Sequence, residues 1–476
     1  MKTKVTTPFR FRDVGPKTLL TNEVGDFGMF AEGIVERILN RTVTEEEETL
    51  LSDLFIHFEE EQDWRLLSLT RRVRSRGKSV KSKLSYIILI PTLRCDLSCS
   101  YCQVSRAPLH EKGFDWDAEK LSAFDDFLVE RKVEEVKIEF QGGEPTLRPD
   151  LIREVIRITE KRCSKSEFVI CTNLQSISKA TEDIYENPNV SISTSIDGPE
   201  DVMDLSRTKN RDLTNQFFEN FYYILKKYGP NKISALPTVS ANMLNNPERL
   251  VDFYIALGFD TIFLRPVNYM GFARKTYKEL ANDIESWSVF YRRAIEYIAK
   301  INEHTFFEEF YFSLLLKRIF HLTEDGFVDF RSPNVFMKDY CVIDFDGKLY
   351  PSDEARMLSR TKHIDLSLGE LGSAIDAKKV NNLNWHSMNQ VEPDCLHCAY
   401  MPYCGIDIID DLSRYNRIDN PKFDSWFCRR HMMIFDFIFD KIATRDRAWL
   451  DIFLKWIYGR AEPPRSYEIF YDKAKI

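Results

Sequence analysis

The sequence predicts an α/β fold: a partial (β/α)6 barrel with a small α+β module ahead of it and a cysteine-bearing unit behind it. Three observations predict this. Short β-branched runs alternate with amphipathic helical segments between residues 84 and 275, a pattern that gives parallel strands joined by right-handed crossovers. A polar, basic stretch at 71–83 divides that region from a β-then-α pattern before it. Asp346-Gly347 lies between two apolar runs, a hairpin signal, and opens a stretch that carries clustered cysteines.

A chain of 476 residues exceeds what one core usually supports, so several units are expected. Residues 8–31 read as short strands separated by turn signals. The periodicity of Ile34, Val35, Ile38 and Leu39, then Leu50, Leu51, Leu54 and Phe55, predicts helices. With the run RRVRSRGKSVKSK, which suits a linker or a solvated face, these make a module over 1–83. The barrel occupies 84–275. Its strands are predicted at 85–92, 136–143, 167–173, 190–197, 232–240 and 261–268, with amphipathic helices between them at 117–132, 148–162 and 215–229. Six units rather than eight make the TIM-like barrel incomplete. A helical bridge over 276–335 leads to the cysteine-bearing unit over 336–430, and helix closes the chain over 431–476.

A composition of 43% hydrophobic and 29% charged residues is that of an ordinary globular chain. The net charge of −8 gives no basic field for nucleic acid. The opening MKTKVTTPFRFRD lacks the apolar core of a signal peptide, and no apolar run is long enough to span a bilayer. A cytoplasmic protein without membrane or nucleic-acid partners is the expectation. In that reducing compartment ten cysteines point to metal ligands rather than a disulfide framework.

Cys95, Cys99 and Cys102 form Cys-x3-Cys-x2-Cys directly after the apolar strand SYIILIPT. That places them in a loop at the C-terminal end of a parallel strand, where barrel active sites form. Three thiolates suit a [4Fe–4S] cluster with one iron open to an external ligand. A zinc site wants a fourth ligand, and zinc or inert thiols are the alternative. QGGEP ends the second strand with Gln141, Gly142, Gly143 and Glu144. Glycines allow close backbone approach, and a carboxylate partners an ammonium; a plain turn is the bland reading. Period-two alternation puts Ser191, Ser193, Ser195 and Asp197 on one face of strand four, implying a polar barrel interior.

This spacing, with the aromatic Tyr101 before the third cysteine, resembles the radical S-adenosylmethionine (SAM) superfamily. The resemblance implies that SAM chelates the open iron and is cleaved to a 5'-deoxyadenosyl radical that abstracts hydrogen from substrate. It also implies that Gly142, Gly143 and Glu144 hold the SAM amino group. SIDGP (195–199) and MDLSR (203–207) resemble the SxDGP and HDxxR stretch of peptide-modifying members, with Met203 in place of the usual His. Ser195, Asp197 and Arg207 are thereby candidate SAM contacts. Asn173, at the end of strand three, and Arg265, near strand six, are further candidates; a structural role is the alternative for each.

Cys395-x2-Cys398-x5-Cys404, followed by Cys428, resembles the SPASM extension, which binds auxiliary [4Fe–4S] clusters. Ser352 and Ile408 stand where that family has cysteines of its first auxiliary cluster. The resemblance therefore implies a reduced SPASM unit with one auxiliary cluster on Cys395, Cys398, Cys404 and Cys428. A zinc knuckle is the alternative. Cys163, Cys171 and Cys341 are left as buried free thiols. Asp353 matches the position of a substrate-deprotonating Asp in sulfatase-maturing relatives, which makes it a general-base candidate; a surface carboxylate is the alternative.

The N-terminal module resembles the PqqD-type precursor-recognition fold, which captures a leader peptide as an added strand, though a packing domain also fits it. FRFRDVGPKTLLTNEVGDF, YPSDEARML and the reduced SPASM unit together resemble the radical SAM maturase of the His-Xaa-Ser peptide system. The partners this implies are a precursor peptide, a second radical SAM protein, and a reductant such as flavodoxin or ferredoxin. The product would be a crosslink or an oxidised side chain. Modification of a sulfatase or dehydrogenase subunit is one alternative, and a non-catalytic iron–sulfur electron-transfer subunit another.

Overall fold

The computed structural model describes residues 4–59, 63–78, 83–276, 283–321 and 336–459. The polar run at 79–82, much of the predicted bridge (277–282 and 322–335) and the chain after 459 lie outside the described residues.

At the amino end, turn residues Gly15 and Gly25 separate three antiparallel strands, β1 (Arg10–Val14), β2 (Lys17–Thr21) and β3 (Phe27–Ala31). Leu20 and Phe30 pack on Ile34, Ile38, Leu51 and Leu54 of the two helices that follow. The second of these, Glu45–Asp53, starts on a complete capping box between Thr44 and Glu47, a device worth about 1 kcal/mol. The basic stretch is not a linker up to residue 78, because a single helix covers Asp63–Lys78. Arg72 of that helix forks onto Asp26 at 2.6 and 2.7 Å, fastening it to the strands.

The barrel strands are β4 (Tyr86–Thr92), β5 (Glu135–Gly142), β6 (Lys165–Cys171), β7 (Val190–Thr194) and β8 (Ile233–Ala235), all parallel. Six of the seven residues of β4 are buried, as a strand covered on both faces requires. Helices α1 (Ala118–Glu130), α2 (Pro149–Arg162), α3 (Lys179–Tyr185) and α4 (Arg211–Tyr228) cross between them. In α2, Leu151, Ile152, Val155, Ile156 and Ile158 turn one apolar stripe to the sheet. Asp117 and Ser178 cap α1 and α3, and Pro149 starts α2.

Two expectations differ from the structure. The sixth predicted strand is only two short pairings outside the main sheet, Thr261–Ile262 with Glu308–Glu309 and Arg265–Pro266 with Thr238–Val239. Pro237 and Pro266 offer no N–H to continue a ladder there. Strand seven of the main sheet likewise ends at Thr194, so Ser195 and Asp197 follow it in a loop.

The hairpin at Asp346-Gly347 joins the barrel sheet directly. β9 (Tyr340–Ile343) adds parallel to β4, with Tyr340 opposite Tyr86, and β10 (Lys348–Tyr350) and β11 (Gly369–Glu370) continue antiparallel. The sheet order is β8-β7-β6-β5-β4-β9-β10-β11, so it runs across residue 336 without a break. Beyond it lie α5 (Asp353–Arg360), α6 (Ile408–Tyr415) and α7 (Trp426–Ala443). Among the described residues no helix is long and apolar enough to cross a membrane.

Candidate functional site

The cysteine loop begins where β4 bulges between Leu89 and Thr92, at Pro91. Asp115 anchors its base by accepting from Thr92 Oγ1 at 2.5 Å and Arg94 Nε at 2.9 Å, with Arg148 Nη1 at 3.3 Å. Arg94–Cys95 pairs with Ala107–Pro108, closing a loop that holds Cys95, Cys99 and Cys102, all partly exposed and unbridged. Gly271 holds the outer side: its φ is +54°, a Cβ there would lie 1.6 Å from the Gln103 carbonyl, and the Phe272 N–H donates to the Cys102 carbonyl at 3.1 Å. Sequence reasoning passed over Gly271, although a glycine just past the sixth predicted strand was the available signal.

Gly142 and Gly143 press against the same loop. A Cβ on Gly143 would sit 2.1 Å from the Arg94 carbonyl, and one on Gly142, at φ +127°, 2.4 Å from the Thr92 carbonyl. Both glycines are thus demanded by backbone contact with the strand that delivers Cys95. Glu144 is buried and accepts from the Asn173 N–H at 2.7 Å and from Thr146 Oγ1 at 2.6 Å. Burial raises its carboxyl above the usual range, with the two donors opposing. Asn173 Nδ2 donates to Asp96 at 2.6 Å and lies 3.8 Å from Cys95 Sγ. Asp96, next to the first cysteine, went unnoticed in the sequence.

Tyr101 makes the second tie. Its hydroxyl donates to Asp197 Oδ2 at 2.5 Å and accepts from Arg207 Nη1 at 2.8 Å. Asp197 is fully buried and also accepts from Ser206 Oγ at 2.8 Å and the Thr238 N–H at 3.0 Å. Met203 fills its altered position by taking the Asp197 N–H on its sulfur at 3.4 Å. Ser100 donates to the Ser206 carbonyl from both its N–H and its hydroxyl. The structure therefore brings Tyr101, Glu144, Asn173, Asp197 and Arg207 around the cysteine loop. Gln141 is spent on Glu139 at 2.6 Å, and Arg265 lies over the Phe263 ring. Ser195 is half-buried just beyond β7.

On one face of the sheet, Glu139 accepts from Tyr86 at 2.6 Å and from Cys171 at 3.3 Å. Cys171 is thus part of a polar interior rather than an isolated core thiol, whereas Cys163 and Cys341 are buried as expected. Burial pushes the Cys95 and Cys99 thiols up, the Glu144 charge adding to Cys95 and Arg207 opposing at Cys99. Bare thiols in such a place stay protonated, and a bound iron is what would hold them as thiolates. Three thiols from one loop, flanked by a carboxylate and a guanidinium, fit an open-iron cluster and an amino-acid ligand.

The second set of cysteines lines one cavity of about 230 Å³: Cys395, Cys398, Cys404 and Cys428, the last on the first turn of α7. Burial raises all four, Cys428 to about 12, and Cys395, Cys404 and Cys428 each also feel the charge of others in the set. Arg12 and Arg10 oppose the shift at Cys398. Four thiols around one cavity are a donor set that a [4Fe–4S] cluster or a zinc ion would take.

The two altered positions serve the fold. Ser352 caps α5 by accepting from the Ala355 N–H, and Ile408 starts α6 inside an apolar cluster with Met270, Met357, Leu358, Leu366 and Ile406. Asp353, buried rather than at the surface, lies 2.7 Å from Nε of the fully buried Arg356.

Residues 89–253 match the family described as the radical SAM superfamily. The chain carries a radical SAM domain. Two curated relatives match part of the chain, both described as uncharacterised proteins. One, from Methanothermobacter thermautotrophicus, is 26% identical over 37% of this chain and 65% of the relative. The other, from Methanocaldococcus jannaschii, is 30% identical over 38% of this chain and 61% of the relative. The match thus spans less than two-thirds of either relative. Among solved structures, native anSMEcpe with bound AdoMet superposes with a TM-score of 0.59 at 16% identity, covering 76% of this chain and 98% of that one. SuiB of Streptococcus suis, bound to precursor peptide SuiA, gives 0.50 at 15% identity, covering 86% and 96%. These likenesses extend the fold relationship beyond the radical SAM domain into both flanks.

Proposed function

We propose that the chain is a radical SAM enzyme that abstracts hydrogen from a residue of a ribosomally made precursor peptide. The observation that carries this reading is the double tie of the cysteine loop, to Glu144 and Asn173 on one side and to Asp197 and Arg207 through Tyr101 on the other. An electron carrier needs thiolates but no such acid and base groups around an open iron. When bound, the cluster and SAM would supply a 5'-deoxyadenosyl radical. The chain's own part would be to hold them: Glu144 would take the amino group, Arg207 the anionic side, and Gly142 and Gly143 keep the loop against β5. The sheet face with Glu139, Cys171 and Ser193 offers hydrogen-bonding groups to a peptide side chain.

Likeness to a structure bound to a precursor peptide supports the substrate class, and the N-terminal strands support peptide capture beside it. Asp353 is our proposed proton acceptor, and Cys395, Cys398, Cys404 and Cys428 our proposed ligands of one auxiliary cluster. A cytoplasmic setting, a second radical SAM protein as partner, and a flavodoxin or ferredoxin reductant complete the reading. Reconstituted protein reduced with dithionite should release 5'-deoxyadenosine from SAM. Absence of release from iron-replete protein would instead favour the electron-transfer subunit.

A further inference from the structure

The cavity lined by the four C-terminal cysteines is not closed by the C-terminal unit alone. Phe11 and Arg12 of β1 complete its wall. The N-terminal sheet is fastened to the ligand loop by bonds aimed at main chain: Arg10 Nε donates to the Leu396 carbonyl at 2.7 Å and Thr21 Oγ1 to the Ala399 carbonyl at 2.9 Å. The Tyr403 hydroxyl returns a bond to the Gly25 carbonyl at 2.7 Å. All three grips fall between Cys395 and Cys404. Main-chain carbonyls keep such bonds whatever the side chains do, so the sheet position and the ligand loop are set together.

Arg12 stands at the centre of this contact. Its guanidinium forks onto Asp436 of α7 at 2.6 and 2.8 Å and lies 5.6 Å from the centroid of the Tyr400 ring, two residues after Cys398. Asp436 also accepts from the Tyr400 hydroxyl at 2.7 Å. Lys422, another cation of the wall, is balanced by Asp411 at 2.7 Å. A cluster held by four thiolates is anionic and becomes more so on reduction. A neighbouring cation therefore favours the reduced form, a carboxylate the oxidised form, and exclusion of water also the oxidised form.

We propose that the N-terminal module walls one side of the auxiliary cluster's site, and that Arg12 on that wall, with the Asp436 of α7 that it pairs with, sets the cluster's reduction potential. This rests on the auxiliary-cluster reading above. The step is uptake of one electron, supplied in the experiment by dithionite, with no atom transferred.

The test is a potentiometric titration followed by electron paramagnetic resonance on the full-length, reconstituted chain carrying Cys95, Cys99 and Cys102→Ala, so that only the auxiliary cluster reports. Arg12→Met should shift the midpoint negative, lowering the reduced-to-oxidised ratio at fixed potential about threefold, on the order of 30 mV for one electron. Asp436→Asn should shift it positive, and Arg12→Lys should stay near the parent. Both Arg12→Met and Asp436→Asn break the same ion pair, so a merely structural contact would move the two midpoints together. Shifts of the same sign, or none, overturn the proposal while leaving the cluster assignment standing. A parent protein that binds no iron overturns the auxiliary-cluster reading itself, and this proposal with it.

Discussion

The Tyr101 hydroxyl donates to the buried Asp197 carboxylate at 2.5 Å, tying the residue before the third cysteine to the loop after the fourth barrel strand. Tyr101→Phe leaves Asp197 and Arg207 without their shared partner. A buried group losing a donor costs about 1–3 kcal/mol, which urea unfolding should read. Loss of an outer partner of a metal loop also reduces activity by about ten- to a hundredfold. 5'-Deoxyadenosine formation should fall by that much, and unaltered formation would separate Tyr101 from SAM binding.

Gly143→Ala should displace the strand that delivers Cys95, because the new methyl would meet the Arg94 carbonyl at 2.1 Å. Iron retained per chain should drop by about four, the content of one cluster. Gly113→Ala is the control: it too has a positive φ, +83°, but open space around it. It should cost only about 1 kcal/mol of backbone strain, with iron retained.

Glu309 is held among Tyr291, Leu264 and Phe312, and burial raises its carboxyl from 4.5 to about 7. The native state therefore binds this proton more tightly than the unfolded chain does. Its stabilising contribution is complete below about 4.5 and is lost as pH rises to about 7, on the order of 3 kcal/mol in all. Glu309→Gln should flatten the fall in stability across that window. A stability–pH curve identical to that of the unaltered protein would refute the assignment.

Asp353 balances Arg356, which is fully buried and whose other carboxylate neighbour, Asp344, is 3.8 Å away. Asp353→Asn leaves a buried charge underpaired, which costs about 3–5 kcal/mol. The melting temperature should fall along with product formation. A variant with unchanged stability that still cleaves SAM but makes no product would leave Asp353 a reagent alone.

Restoring cysteine at both altered positions, Ser352→Cys with Ile408→Cys, should add no iron. The space beside Ile408 is filled by Met357, Leu358 and Ile406, and the change removes a cap and core methyls at a cost of about 1–3 kcal/mol. Iron analysis and thermal unfolding check the two halves. A gain of about four irons per chain would mean that a second auxiliary site survives beneath the apolar packing.

Much of the site could be read in the chain because its parts are local. The three cysteines share one loop, and Gly142, Gly143 and Glu144 lie together at the end of one strand, so each set could be read as a local pattern. What escaped was set across the fold. Pro266 ended a strand that β-branched residues announced, and Cys171 reaches Glu139 diagonally because the register of β5 and β6 sets Glu139 opposite Val169, two residues before it on the same face. The helix at Asp63–Lys78 reads as a linker until Asp26 supplies the partner for Arg72.

The sequence by itself determined the αβ alternation and the Cys-x3-Cys-x2-Cys spacing of the first cysteine loop. These depend on backbone period and on neighbours a few residues apart. Only the tertiary structure decided that the hairpin after Tyr340 extends the barrel sheet, that Ile408 sits in an apolar cluster, and that β1 walls the four C-terminal cysteines. Arg10 and Leu396 meet across 386 residues of chain. Contacts at that distance come from the packing of whole faces, and no local pattern encodes which face meets which.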